Sequence, residues 1–289
     1  MAEYKIKDVE VLTGIKAHTL RIWEKRYGLL VPERTDTQIR TYSDEELSFL
    51  LNISLLNKHG IKISKIAALT KNQIAEKVWD FHGISVLDTS GEQFVLALIE
   101  MDERLFTNTL QAVIDKIGLE RAFNEHLIPF LDRIGVMFLV GSINPAQEHF
   151  MSNVIRHKVI AETDSLPIPE VNGHKVLLFL PEHEWHELGL LFYQFLLRKQ
   201  GVASFYLGQS LPYDSLVKSI NFLRPTVIIS SWLSAVDESF FINYFQKLQK
   251  DAPNATICCG GAQVKMHFDK LPKGIHPIAK AIEVLQFVS

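Results

Sequence analysis

A histidine between two acidic residues follows a strongly apolar stretch in the last half of the chain. Residues 184–189 read Glu-Trp-His-Glu-Leu-Gly and connect the apolar run Lys175–Leu180 to a helical pattern that begins near Leu188. A loop between a strand and the next helix is where a parallel α/β sheet presents side chains to a bound group. The imidazole lone pair of His186 makes this residue a candidate metal ligand.

Two further loops are expected to reach the same edge of the sheet. Ser231-Trp-Leu233 follows one strand-like run, and Gly260-Gly261 follows another. Because the carboxyl ends of parallel strands meet at one edge, the three loops are predicted to form one site. Small residues there let the backbone lie close against a bulky ligand. For Gly260-Gly261 alone, a plain strand-to-helix turn is the alternative interpretation.

The elements that position these loops are predicted from alternating patterns across residues 169–289. Strand-like runs occupy Lys175–Leu180, Ala203–Leu207, Thr226–Ser230 and Thr256–Cys259. Helical patterns occupy Leu188–Lys199, Tyr213–Phe222 and Glu238–Gln249, and Ile275–Val288 supplies a last strand and helix. This order predicts a flavodoxin-like, doubly wound parallel sheet.

The middle of the chain is predicted to be helical throughout. Four apolar-periodic segments occupy Phe94–Met101, Leu105–Ile117, Ala122–Phe138 and Ala146–Ala161, and breaks fall at Asp102, 118–120 and 141–145. These segments predict a four-helix bundle over residues 91–168. Residues 73–90 are interpreted as a linker without a heptad run, so dimerisation must come from elsewhere.

Residues 1–72 have helix-turn-helix spacing. The predicted elements are a helix over 6–15 broken at Gly14, a second helix over 17–25, a hairpin wing over 34–42, a helix over 45–57 with a Ser43–Glu46 capping box, and a short helix over 61–69. Cationic and polar side chains on the second helix and the wing are candidates for DNA contact: Lys16, His18, Thr19, Arg21, Lys25, Arg26, Tyr27, Arg40 and Tyr42. A solvated charged helix face is the alternative interpretation, and Trp23 is expected in the core.

Composition describes an ordinary soluble chain of two or three domains. It has 289 residues, 47% hydrophobic and 22% charged, with a net charge of -3. Residues 1–70 hold 11 Lys and Arg against 9 Asp and Glu, so a mildly basic head precedes an acidic body. The chain has two adjacent cysteines, no signal peptide pattern and no apolar run of membrane-spanning length, so we expect a cytoplasmic location and no membrane partner. Hydrolase and kinase functions are disfavoured because no nucleophile elbow or Gly-rich phosphate loop is present.

Two stretches carry a resemblance to known families. Arg21–Arg34 with Arg40–Tyr42 closely resembles the winged-helix DNA-binding domain of MerR-type transcription regulators. The three loops of the C-terminal half resemble the cobalamin-binding α/β domain shared by methionine synthase and related proteins. That second resemblance implies that His186 is the lower cobalt ligand and that Glu184 orients its imidazole. It further implies that Gly189 gives passage to the nucleotide tail, that Ser231 hydrogen-bonds the displaced base, and that Gly260 and Gly261 line the deep slot of that base. Leu233 is expected to bind the cofactor at the same site.

In this order the parts look like the CarH, CarA and LitR photoreceptor repressors. The resemblance implies a bundle that caps adenosylcobalamin, with methylcobalamin as the alternative form. It also implies homo-oligomers, dimers or tetramers, that bind promoter DNA at the nucleoid in the dark and leave it in light. The family's capping residues correspond to Phe138, Leu139, Glu148 and His149.

The chain departs from that family at two positions. Phe138 stands where the family has Trp, and Leu139 stands where CarH has the histidine that ligates cobalt after photolysis. Since leucine has no donor atom, a regulator of the same fold that senses another cobalamin form, another ligand or a protein partner without photochemistry is the alternative hypothesis. A cobalamin enzyme subunit is a third, and we expect no enzyme, because no catalytic barrel fits in this length.

Overall fold

The computed structural model describes residues 4–35, 39–58, 60–80, 86–139, 143–171 and 173–288. The chain divides into two compact units, 1–154 and 155–289, and the boundary falls inside a long helix. Each unit has its own apolar core. The finer division into head, linker, bundle and sheet domain stays a prediction.

The first unit opens with a winged helix-turn-helix. Strand β1 (Tyr4–Lys5), helix α1 (Ile6–Thr13), helix α2 (Ala17–Tyr27) and strands β2 (Glu33–Arg34) and β3 (Arg40–Tyr42) follow in order. The three strands form an antiparallel sheet in the order β1-β3-β2, with Arg34 opposite Arg40. Helix α1 ends at Gly14, whose φ of 71° places it in the left-handed region that glycine adopts without strain. The predicted helix-turn-helix and wing are confirmed, and residues 36–38 at the wing tip lie outside the described residues.

Three helices complete the head region: α3 (Asp44–Lys58), α4 (Ile63–Ile66) and α5 (Lys71–Asp80). The predicted capping box is confirmed, since the Ser43 amide donates to Glu46 at 2.8 Å and the Glu46 amide donates to the Ser43 hydroxyl at 3.3 Å. Each side chain therefore satisfies a backbone N–H that the first turn leaves without a helical partner. Helix α5 extends into residues 73–90, which the sequence was interpreted to use as a linker.

Four helices follow, α6 (Val86–Glu100), α7 (Glu103–Ala122), α8 (Ile128–Leu139) and α9 (Pro145–Asp164), with a π-helical turn at Phe123–Leu127 between α7 and α8. The backbone leaves the helical conformation at Gly118, where a break was predicted. Phe94, Phe106 and Phe130 join α6, α7 and α8 with ring centroids 4.6–5.5 Å apart. These aromatic contacts form the centre of the helical core.

The predicted start of α6 was wrong by eight residues, because the helix begins at Val86 and not at Phe94. Thr89, Ser90 and Gly91 have weak helix propensity, so the pattern indicated a linker there. Buried contacts outweigh that propensity: the Ser90 hydroxyl lies 2.7 Å from His126 Nδ1, and the Thr109 hydroxyl donates to Gln93 at 3.0 Å. Tertiary packing, which a local pattern does not report, extends the helix.

The second unit is a five-stranded parallel sheet with the strand order β5-β4-β6-β7-β8. Its elements are β4 (Val176–Phe179), α10 (Leu188–Lys199), β5 (Ser204–Tyr206), α11 (Tyr213–Leu223), β6 (Val227–Ser231), α12 (Glu238–Asp251), β7 (Thr256–Gly260), α13 (Ala262–Met266) and β8 (Ile275–Ile278). In order of sequence this is the 2-1-3-4-5 arrangement of flavodoxin-like folds, as predicted. The closing helix at Ala281–Phe287 is a 3-10 helix.

Among the residues that the structure describes, no helix is both long and apolar enough to cross a bilayer.

Candidate cofactor site and nucleic acid surface

The loop after β4 places a carboxylate against an imidazole at the carboxyl edge of the sheet. Glu184 is almost fully buried, and its Oε1 lies 2.7 Å from Nδ1 of His186. The His186 side chain is 56% exposed. With Nδ1 beside a carboxylate, the imidazole would present Nε2 to a metal, as metal-binding histidines do when a second group orients them.

Backbone amides from two loops converge on the same carboxylate. Glu184 Oε1 accepts from the amides of Trp185 and His186 at 3.0 Å, and Oε2 accepts from the amides of Leu233 and Ser234 at 2.7 Å. These bonds tie the loop after β4 to the loop after β6, as the shared edge predicted. Ser234 also donates its hydroxyl to Oε1 at 3.1 Å. The sequence did not single out Ser234, because no pattern indicates which small polar residue will reach a distant carboxylate.

These contacts set the ionisation of Glu184. Burial alone raises the pKa of a carboxyl, but the hydrogen bonds from His186 and from the Ser234, His186 and Leu233 backbone outweigh it and lower this pKa to about 2. Glu184 is therefore a carboxylate at neutral pH, with both oxygens used by donors. The imidazole is then the one donor that this pair offers to a metal.

The neighbouring Glu187 fixes the position of the loop through two side-chain contacts. It is buried, it is ion-paired with Arg156 of α9, and it accepts the Tyr206 hydroxyl at 2.5 Å. The contacts hold the turn between His186 and α10 against β5. The sequence missed this role because Arg156 and Tyr206 are 31 and 19 residues away along the chain.

The small residues of the site serve close packing. A side chain at Gly189, in the first turn of α10, would meet the Ser231 hydroxyl at 3.9 Å, an ordinary contact distance. Gly261 has a φ of 103°, and a Cβ there would lie under 3.0 Å from the Trp232 backbone. A Cβ at Gly260 would lie under 3.0 Å from the Tyr193 hydroxyl. Gly261 thus permits a strand-to-helix turn, whereas the space beside Gly260 is filled by a side chain.

Cobalamin fits this site in part. The exposed imidazole with its buried carboxylate partner suits a metal that is already held in a macrocycle and needs one axial ligand. Trp185 and Leu233, 61% and 45% exposed, add apolar surface near it. The slot expected for the nucleotide tail beside Gly260 does not fit the cofactor, because the Tyr193 side chain fills it.

The predicted capping residues lie in the first unit. Phe138 is 48% exposed near the end of α8, and the side chain of Leu139 lies outside the described residues. Glu148 and His149 begin α9 as a pair, with His149 Nδ1 3.0 Å from Glu148 Oε2. Glu148 also accepts the Ser152 hydroxyl at 2.6 Å. A role for these four residues toward a cofactor stays a prediction.

His18, Arg21, Lys25 and Arg26 are exposed on one side of α2 and Lys16 is exposed at its N-cap, whereas Thr19 and Tyr27 are half-buried. Trp23 and Leu20 are buried on the opposite face, as expected. Lys16 is paired with Glu10 at 3.0 Å, the His18 ring lies 3.3 Å from the Thr19 hydroxyl, and the Arg26 guanidinium lies 5.5 Å from the centre of the Tyr27 ring. The exposed cations on this helix and its N-cap are Lys16, Arg21, Lys25 and Arg26.

The two predicted DNA-binding residues of the wing, Arg40 and Tyr42, both contact α2. Tyr42 was predicted to hold the DNA backbone, but its side chain is 1% exposed and its hydroxyl donates to Glu24 Oε1 at 2.6 Å. Arg40 donates its Nε to Glu24 Oε2 at 2.9 Å. Burial and the hydrogen bond to Glu24 raise the pKa of Tyr42. Both side chains therefore join the wing to α2, because Glu24 is the acceptor within their reach.

Comparison with known families agrees with this architecture. Residues 4–73 match the family described as MerR HTH family regulatory protein, and residues 91–161 match the family described as B12 binding domain. The chain thus combines one segment similar to MerR-type helix-turn-helix regulators with another similar to B12-binding domains.

Over most of its length the chain is similar to two repressors of Myxococcus xanthus. It is 29% identical to the HTH-type transcriptional repressor CarH over 277 residues, which is 92% of each chain. It is 27% identical to the HTH-type transcriptional repressor CarA over 271 residues, 91% of this chain and 88% of CarA. The structure of the Methanosarcina barkeri monomethylamine corrinoid protein is similar in fold, with a TM-score of 0.55 at 14% identity, covering 70% of this chain and 94% of that one.

Proposed function

We propose that this protein is a cobalamin-dependent repressor that binds double-stranded promoter DNA through its winged helix and ligates cobalt through His186. The pair of Glu184 and His186 is the observation that carries the proposal. Its Nδ1–Oε1 distance of 2.7 Å fixes the imidazole with Nε2 as the ligating nitrogen. The proposal is further supported by the CarH and CarA repressors and by the corrinoid protein of similar fold.

Each residue of the site has a separate role in holding the cofactor. Glu184 keeps the His186 imidazole oriented, and Glu187 keeps the loop against the sheet. Trp185 and Leu233 pack against the macrocycle, and Ser231 hydrogen-bonds the displaced base. When bound, adenosylcobalamin supplies a cobalt–carbon bond that visible light can break.

On the DNA side, the exposed face of α2 lies in the major groove and its cations contact phosphates. Arg21 and Lys25 lie one turn apart, so they reach neighbouring points of the same surface. Each phosphate contact releases condensed counterions, which makes the affinity fall with salt. Glu24 holds the wing through Arg40 and Tyr42, so the wing keeps a fixed position beside the helix.

We further propose that light changes the oligomeric state of the protein and so releases DNA. The alternative is a regulator of the same fold that senses a cobalamin form, another ligand or a protein partner without photochemistry. Leu139 favours this alternative, since it lacks a donor atom where CarH-type photoreceptors have the histidine that ligates cobalt after photolysis. Equal repression in light and dark by the cobalamin-loaded protein would select the alternative.

The experiment that tests cobalt ligation compares two histidines of one loop. His186→Ala should abolish the histidine-ligated absorbance spectrum of bound cobalamin and leave the circular dichroism unchanged. His183 is the matched control, because it is exposed three residues earlier with a φ of 69°. His183→Asn should keep the spectrum, since Asn tolerates a positive φ. An unchanged spectrum in His186→Ala would refute the assignment.

A further inference from the structure

The exposed residues of α2 form one stripe along the helix. They occupy positions 18, 21, 22, 25 and 26, and these spacings of three and four residues place their side chains on one face. Four of them carry side-chain nitrogen, namely His18, Arg21, Lys25 and Arg26. The fifth is Ile22, which lies at the centre of the stripe, one turn from His18 and one turn from Arg26. An apolar group is therefore surrounded by nitrogen-bearing side chains.

Ile22 contributes little to the core of the head. It is 52% exposed, whereas Leu20 and Trp23 are buried on the opposite face of α2. Isoleucine also has a lower helix propensity than arginine or lysine, so the helix does not favour it at an exposed position. Single exposed apolar residues are common on protein surfaces, and exposure alone assigns no role. The central place in a cationic stripe does, because a ligand that spans the stripe must contact Ile22.

The chemistry of the stripe matches the major groove of double-stranded DNA. Phosphates run along both edges of the groove and attract cations, whereas its floor presents the edges of the bases. Most groups on that floor are hydrogen-bond donors or acceptors, and the C5 methyl of thymine is an apolar group among them. A stripe with cations at its ends and an aliphatic group at its centre is complementary to phosphates that flank a thymine.

We propose that Ile22 reads DNA sequence by contacting thymine methyl groups in the major groove. This inference rests on the proposed function, that the exposed face of α2 binds DNA. The phosphate contacts of Arg21 and Lys25 hold the helix on any sequence, and they carry no sequence information. The Ile22 side chain offers no donor or acceptor, so it gains affinity against a methyl group and loses affinity where it covers a polar base edge.

The test compares thymine with deoxyuridine, which lacks the C5 methyl and keeps the same hydrogen-bonding groups. The full-length protein first enriches a bound duplex from a random-sequence library. That duplex is then synthesised with thymine or with deoxyuridine, and both affinities are measured by fluorescence anisotropy. Because burial of one methyl group is worth about a fourfold gain in affinity, the wild type should bind the thymine duplex about fourfold more tightly or better.

Three variants assign the methyl preference to one residue. Ile22→Ser should reduce the ratio of the two affinities to less than about twofold, since a hydroxymethyl group gains little from a methyl. It should leave the slope of log affinity against log salt unchanged, because no charge is lost. Ile22→Val keeps a branched apolar side chain and should keep the preference. Ile160→Ser is the matched control, because Ile160 is a 38% exposed isoleucine on α9, and it should leave the ratio unchanged.

The outcomes separate this inference from the proposed function. If the wild type binds the enriched duplex but shows no preference for thymine, or if Ile22→Ser keeps the wild-type ratio, reading by Ile22 is refuted and DNA binding stands. If the wild type enriches no duplex and shows no salt-dependent binding, the DNA-binding part of the proposed function fails, and reading by Ile22 fails with it.

Discussion

The side chain on which the cofactor site depends is Glu184, a buried carboxylate with hydrogen bonds to both oxygens. Its partners include the amides of Leu233 and Ser234 and the imidazole of His186. A buried charge is tolerated when its lone pairs are satisfied, and here they are satisfied by groups from two loops. The residue that orients the imidazole therefore also holds the site together.

That dual role predicts a pH-dependent stability. Glu184 has a pKa of about 2 in the folded protein against an ordinary 4.5. Since the folded pKa is lowered, its stabilisation is complete above about pH 4.5 and is lost as the pH falls through the folded value. Glu184→Gln should lower the free energy of unfolding by about 1–3 kcal/mol at pH 7. The difference in the free energy of unfolding between this variant and the wild type should narrow as the pH falls from 4.5 to 2.

Urea unfolding at a series of pH values measures this gap. Glu238→Gln is the control, because Glu238 is a half-exposed carboxylate at the start of α12. Its effect should be small at pH 7. A gap for Glu184→Gln that stays constant from pH 7 to pH 3 would show that the charge of this carboxylate does not stabilise the fold.

The contact between α2 and the wing sets the relative position of the two elements that are proposed to bind DNA. Glu24 accepts from Arg40 at 2.9 Å and from the Tyr42 hydroxyl at 2.6 Å. Glu24→Ala should lower the free energy of unfolding by about 1–3 kcal/mol, because two partly buried donors lose their acceptor. It should also weaken DNA binding although it removes a negative charge.

Glu33→Ala is the informative control for that prediction. Glu33 is exposed on β2, so its loss removes the same charge without freeing the wing. Binding measured by fluorescence anisotropy should be weaker for Glu24→Ala and unchanged or tighter for Glu33→Ala. If both variants bind DNA more tightly, the wing does not depend on Glu24 for its position.

The exposed cations of α2 are predicted to contact DNA phosphates. Arg21→Ala and Lys25→Ala should each weaken binding to all DNA sequences and reduce the slope of log K against log salt by about one. Lys116→Ala, at an exposed position of α7, is the matched control and should leave the slope unchanged. Unchanged slopes for both α2 variants would move the DNA contact to another surface.

These elements were predictable to different degrees from the sequence. The first four strands of the parallel sheet were placed within one or two residues, because buried β-runs between turn residues are a strong local signal. The start of α6 at Val86 and the burial of Tyr42 were not predictable, since both depend on partners distant in sequence. Tyr193 was missed for the same reason: only the fold brings its hydroxyl to Gly260.

For the whole molecule, the proposed switch depends on copies of the chain acting together. Several linked DNA-binding heads on one operator gain about 10²–10⁴ in affinity over a single head. Any change that separates the copies therefore releases DNA without altering the residues that touch it. Under the proposed function, the cofactor domain would regulate the DNA-binding domain in this way even if the winged helix keeps one conformation.

This gives the last prediction, a change of size with light. With adenosylcobalamin in the dark, the protein should elute from size exclusion as a dimer or tetramer. Green light should shift it to a smaller species that binds DNA about 10²-fold more weakly. His186→Ala is the control and should show neither the dark assembly nor a response to light. If the wild type keeps its size and its DNA affinity after the cobalt–carbon bond is broken, the photochemical hypothesis is wrong. The absence of a second ligand at Leu139 would then explain why photolysis of the cofactor has no consequence for the assembly.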